Sequence, residues 1–142
     1  MNKIDIVRAA TGFGRSDQRM PYYTSDFQVT FESGDPPIDL TTWFGMAAMM
    51  QGSFPDIKEV IDEIHEEGDS VILVSHFDGT FTKPLDMSAM GMGVIPATGA
   101  PVKFPSSTNR FSFEGEKIAH MHSLDTGPEA GIAGFMKAIG AG

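Results

Sequence analysis

The chain has 142 residues, a formal net charge of −9 and no cysteine. Its length suits one domain, residues 1–142, with a sizeable core, and its acidity, without any basic run, makes nucleic acid and anionic membrane surfaces poor partners. The missing cysteines exclude disulfides, thiolate chemistry and Cys-based metal sites, and the absence of a signal peptide or a long apolar run leads to the expectation of a cytoplasmic protein.

In chain order, the first third reads as helical. Asn2 suits an N-cap with Asp5 at N3, and Ile4 and Val7 share a face until Gly12 and Gly14 stop the helix. "SDQRMPYYTSD" predicts a short second helix or turn, and "FQVTFES" (27–33) a strand with Phe27, Val29 and Phe31 on one face. In "DLTTWFGMAAMMQG" (39–52), Trp43, Met46, Ala47 and Met50 recur at helical spacing, which predicts an amphipathic helix facing the core.

"DIKEVIDEIHEE" fits either period; the "EGD" that follows favours a hairpin, so 57–66 is taken as a strand paired with "GDSVILVSHFDGTF". "VKFPSSTNRFSF" and "KIAHMHSLD" are two further strands, joined tightly at "EGE". Between these pairs, residues 82–100 form a long connection carrying Met87, Met90 and Met92, either a lid over a ligand or a segment tucked against the core. A final helix starts at Pro128, with Ile132, Phe135, Met136 and Ile139 as its stripe. Helices segregated from consecutive, mostly antiparallel strands predict an α+β fold, a strongly curved sheet wrapped around the N-terminal helices. "GFG" and "GMG" lack the context of a nucleotide-binding loop.

The stretch "KIAHMHSLD" holds two histidines and a carboxylate. In a strand, His120, His122 and Leu124 share one face and Ala119, Met121, Ser123 and Asp125 the other. The histidines and Asp125 therefore do not converge without a bulge, and no metal ligand is assigned. "GEKIAHMH" followed by Glu129 resembles the His-x-His…Glu motif of cupins, a remote, metal-binding alternative, but with too long a spacing.

Several strings, in order, resemble the SnoaL-like polyketide cyclase family: "SFPDIKEVIDEIHEEGDSVIL", "FDGTF", "PATGAPVKF" and "NRFSFEGEKI". The resemblance covers roughly residues 25 to 140. It implies the cone-shaped fold of nuclear transport factor 2, ketosteroid isomerase and cystatins, a conical pocket between sheet and helices, and a homodimer packed through the sheet's outer face. It also implies that Met121, Ser123 and Asp125 face the pocket while His120 and His122 face outward. The cyclases carry an acid–base Asp on this strand; the simplest alignment puts Ser123 there, with Asp125 one pleat further along. Asp125 is then either the displaced base or the cap of the last helix. Glu32 matches the rough position of the isomerase base, and His76 is either a base or a packed histidine. Tyr22, Tyr23, Trp43, Phe77, Met90 and Asn109 are expected to join Met121 and Ser123 in lining the pocket. The implied function is a cofactor-free cyclase, isomerase or dehydratase acting by general acid–base catalysis on an apolar, enolisable small molecule. The alternative is a non-catalytic binding or dimerisation module of the same fold.

Overall fold

The computed structural model describes residues 2–88, 91–127 and 130–140, with the main chain alone for 131–133. Helix α1 (Lys3–Ala10) is followed by a short helix α2 (Ser16–Arg19), a 3-10 turn (Met20–Tyr22), strand β1 (Tyr23–Phe31), β2 (Ile38–Asp39) and helix α3 (Leu40–Ser53). Then come β3 (Lys58–Glu67), β4 (Ser70–Thr80), the short β5 (Leu85–Asp86) and β6 (Val94–Ile95), β7 (Pro101–Lys103), β8 (Ser107–Glu114), β9 (Lys117–Ser123) and helix α4 (Gly131–Ala138).

Local chemistry sets these boundaries. The Asn2 side chain accepts the Asp5 N–H at 2.8 Å, and Asp39 accepts that of Thr42 at 2.8 Å, so α1 and α3 are both capped. The β3–β4 and β8–β9 hairpins turn at Gly68 and Gly115, whose φ angles of +61° and +64° favour glycine.

The main sheet runs β2-β1-β9-β8-β4-β3, with β7 also paired to β4. It is mixed, because β1 lies parallel to β9. The expected strand "VKFPSSTNRFSF" is broken around Pro105: β8 pairs with Val71–Ser75 and β7 with Asp78–Thr80 further along β4. Register shifts in β1, in β3 and between β8 and β9 add twist. The result is a strongly curled half-barrel with α1 and α3 on its concave side.

Two apolar cores fill that side. In the first, Ile6, Val7 and Ala10 of α1 and Phe44 of α3 meet Phe27, Val29, Leu73, Phe111 and Met121 of the sheet. The second gathers Phe54, Phe81, Leu85, Met87, Val102, Phe104 and Ile139. Helix α3 touches both, which explains a departure from its expected stripe. Phe44 is its deepest aromatic and Trp43 only half-buried against the first core, while Met49 and Met50 pack on the second. Within 82–100, β5 and β6 form a small hairpin whose Leu85 and Met87 are buried. Met90 lies outside the described residues, as does Pro128. In α4, Phe135 stacks on Phe104 at 5.5 Å. No described helix is long and apolar enough to cross a membrane.

Candidate active site

A polar seam separates the two cores. On β4, Leu73 belongs to the first core and Phe77 packs against the second, with Ser75 between them on the same face. On β3, Ile61 packs on the first core, Ile57 just ahead of the strand belongs to the second, and Glu59 stands between. Above them, Ala10 belongs to the first core and Phe13 packs on the second, leaving Thr11 and Gly12 over the seam. Gly12 turns there with φ at +85°, and a Cβ at this position would stand 3.7 Å from Glu59 Oε1.

Glu59 Oε2 accepts the Ser75 hydroxyl at 2.8 Å, and Ser75 is 1% exposed. Desolvation pushes the Glu59 carboxyl above its ordinary range; the hydrogen bond from Ser75 and the charge of Arg19 offset part of that rise, while the Thr11 hydroxyl beside it gives its proton to the Val7 carbonyl at 2.7 Å. Tyr23 is buried, with its hydroxyl donating to the Ala10 carbonyl at 3.0 Å. Burial raises its pKa far beyond the ordinary value, with Arg19 opposing and Glu59 reinforcing the rise. The charge of Arg19 thus reaches both Glu59 and Tyr23, and that of Glu59 reaches Tyr23.

The seam continues over the concave face. Ser107 sits opposite Ser75, and Asn109 opposite Ser123. The Asn109 amide donates to Ser107 at 3.4 Å, and Ser123 reaches Asp125 at 3.5 Å. Asn109, Met121, Ser123 and Asp125 therefore share the concave side, which the resemblance implied for the last three, even though a register shift displaces Ala119 and buries both Ile118 and Met121. Asp125 Oδ1 accepts the Thr108 main-chain N–H at 3.0 Å. The helix-cap alternative for Asp125 is corrected: Ala130 caps α4 with no side-chain bond, and Asp125 instead ties down the start of β8. Tyr22, Tyr23, Trp43 and Met121 belong to or border the first core, and Phe77 packs edge-on to Phe13 at 5.1 Å.

Glu32 and His76 lie on the outer face, away from Asp125. Glu32 accepts from His122 Nε2 at 2.8 Å, and Thr30 Oγ1 lies 2.6 Å from both His122 Nδ1 and His120 Nε2. Thr30 has one proton, so with neutral rings it donates to His122 and accepts from His120. Burial, then the neighbouring His122, lower the His120 pKa. His76 is held between Asp62 at 2.9 Å and Asp78 at 3.6 Å, beside an open cleft of about 620 Å³ lined also by Lys103 and Ser106. The three expected catalytic groups thus have separate partners and do not converge. Among the described residues no three His, Asp or Glu side chains are grouped to hold a metal ion.

Sequence reasoning missed Glu59 and Arg19. The signal for Glu59 was present: once 57–66 is a strand, Ile57, Glu59 and Ile61 share a face, and a carboxylate interrupts an apolar row. Arg19 sits at the end of a four-residue helix, too short for any periodicity to mark its face.

A curled sheet wrapped around helices, with a polar seam inside, defines the ketosteroid isomerase-like α+β class. The family model "SnoaL-like polyketide cyclase" matches residues 8–135, and the chain belongs to that family; this fold sets aside the cupin-like alternative. No curated protein matches the sequence. A SnoaL-like family protein from Jannaschia sp. CCS1 is 19% identical with a TM-score of 0.65, covering 89% of this chain and 78% of that one. AclR from Streptomyces galilaeus is 18% identical with a TM-score of 0.67, over 88% and 83% of the two chains. A protein of ketosteroid isomerase-like fold from Catenulispora acidiphila, in complex with trimethylamine, is 11% identical with a TM-score of 0.64, over 99% and 96%. At these identities the likeness is one of fold.

Proposed function

We propose that the chain is a small-molecule enzyme of the cyclase, isomerase or dehydratase kind, working without a cofactor on an apolar, enolisable substrate, with Glu59 as its acid–base group. The ionised carboxylate takes a proton from the carbon beside a carbonyl, the C–H electron pair passes into the enolate, and the neutral carboxyl returns the proton. The observation that carries this reading is a half-buried glutamate between two apolar cores, made more basic by desolvation. Asp125, the base expected from the sequence, is weaker support, because its carboxylate is engaged by a main-chain N–H. A binding module would need no convergence of ionisable groups; Glu59, Arg19 and Tyr23 meeting at one seam favours catalysis.

The test is hydrogen–deuterium exchange beside the carbonyl of 2-tetralone, an apolar enolisable ketone, followed by NMR in D2O. The parent should accelerate exchange over buffer, Glu59→Gln should lose about 10²-fold or more, and Asp125→Asn should retain most of the rate. Equal rates for the parent and Glu59→Gln would overturn the assignment.

A further inference from the structure

We propose that Arg19 is an anion-binding subsite and that the molecule the chain takes carries a carboxylate that docks on it. This rests on the reading of Glu59 as the acid–base group and names the substrate class for the same seam.

Arg19 is 8% exposed, the one Lys or Arg among the described residues that is buried. Its guanidinium lies over the Phe44 ring, 4.7 Å from the centroid. Its Nε is enclosed and has no hydrogen-bond acceptor, and no carboxylate of the described residues forms an ion pair with it. Taking a guanidinium out of water without a counterion is unfavourable, and a cation–π contact returns only part of that cost.

The chain does not lack acids: 19 Asp and Glu stand against 10 Lys and Arg. Among the charges that face Arg19, Glu59 on β3 is the acid within electrostatic reach, and it is bonded to Ser75 rather than to the guanidinium. Tyr23 on β1 also faces Arg19, but its hydroxyl proton goes to Ala10. The fold has therefore buried a cation and given it no hydrogen-bonded anion, only the distant charge of Glu59, so the direct complement comes from the ligand.

The guanidinium offers planar N–H forks that match the two oxygens of a carboxylate. The adjoining walls are aromatic, Phe44 beneath the guanidinium and Tyr23 edge-on to Phe44 at 5.5 Å. An aromatic or alicyclic acid fits both features.

The probes are 2-naphthoate and its neutral isostere 2-naphthamide, titrated calorimetrically into the full chain at low salt. Naphthoate should bind at least about tenfold more tightly, and Arg19→Met should bring the ratio to about one. Met keeps an apolar stem over Phe44 and removes an uncompensated charge, so this variant should melt no lower than the parent. Should it fail to fold, the parent answers alone: naphthoate should shift the Arg19 Nε–H resonance and naphthamide should not. Equal affinities for the two probes, a preference that survives Arg19→Met, or an unmoved Nε–H signal would overturn the subsite. A naphthoate preference that holds while Glu59→Gln leaves tetralone exchange intact would support the subsite and sink the acid–base reading alone.

Discussion

Two carboxylates on the concave face are held in different ways, and the difference separates a structural role from a chemical one. Asp125 receives a main-chain N–H from Thr108, while Glu59 receives one side-chain hydroxyl, from Ser75, and loses solvent. Asp125→Ala should therefore destabilise by about 1 kcal/mol, the loss of one such bond, while Asp125→Asn keeps an acceptor oxygen and most of the stability. Urea unfolding of both beside the parent checks this; two variants as stable as the parent would show that the Thr108 bond contributes nothing. Alternation was enough to place Met121, Ser123 and Asp125 on one side, since a strand offers only two faces; the family resemblance turned that side toward the pocket, and Asn109 was expected there as lining. Alternation could have found Glu59 too, since "DIKEVIDEIHEE" reads as a strand ahead of its hairpin, but the faces of that strand were not separated. Glu32 and His76 were read by position and residue type without a face, and both turned out to point away from the seam.

The hairpins at Gly68 and Gly115 and the capped helices were legible because their signals are local: a glycine between two strands, or an Asn or Asp ahead of an apolar run. The parallel pairing of β1 with β9 was not, since its partners are about 90 residues apart, as Thr30 and His120 are, and no short-range pattern encodes it. Nor was the split of β7 from β8, which follows from the curl of β4. That curl brings the end of α3 against β4 at Gly79. A Cβ there would stand 3.2 Å from Phe54 Cβ and 3.4 Å from Ile57 Cα, closer than ordinary contact. Phe54 cannot yield easily, because it stacks on Phe81 at 4.9 Å and meets Phe104 edge-on at 5.5 Å. Gly79→Ala should cost about 1–3 kcal/mol by overpacking, read as a lower urea midpoint at unchanged slope. A neutral result would mean that the end of α3 shifts freely on the sheet.

The molecule places most of its apolar surface in two cores and many of its polar groups on the outer face and in the seam, although Val60, Ile72 and Val74 share the outer face with His76. Dimerisation through an apolar outer face was expected, yet the large hydrophobics exposed among the described residues are Met20, Met92 and Val94, none of them on the main sheet. Gln28, Thr30, Glu32, His120 and His122 occupy its first-strand side instead, so any pairing of copies there would be polar. The seam has a consequence for the whole fold. Glu59 loses its proton in the folded chain at a higher pH than its ordinary 4.5. Below that value both folded and unfolded chains hold the proton and nothing is lost. As pH rises from there through the folded midpoint the unfolded chain ionises first, and stability declines. Glu59→Gln, which never ionises, should therefore match the parent in acid and surpass it at neutral pH. The most direct measurement is a carbon-detected NMR titration of the Glu59 carboxyl, assigned by its absence in Glu59→Gln. A midpoint clearly above 4.5 is what a desolvated acid–base group between two cores requires, whereas a midpoint at or below that value would mean a solvated carboxylate and no base in the seam.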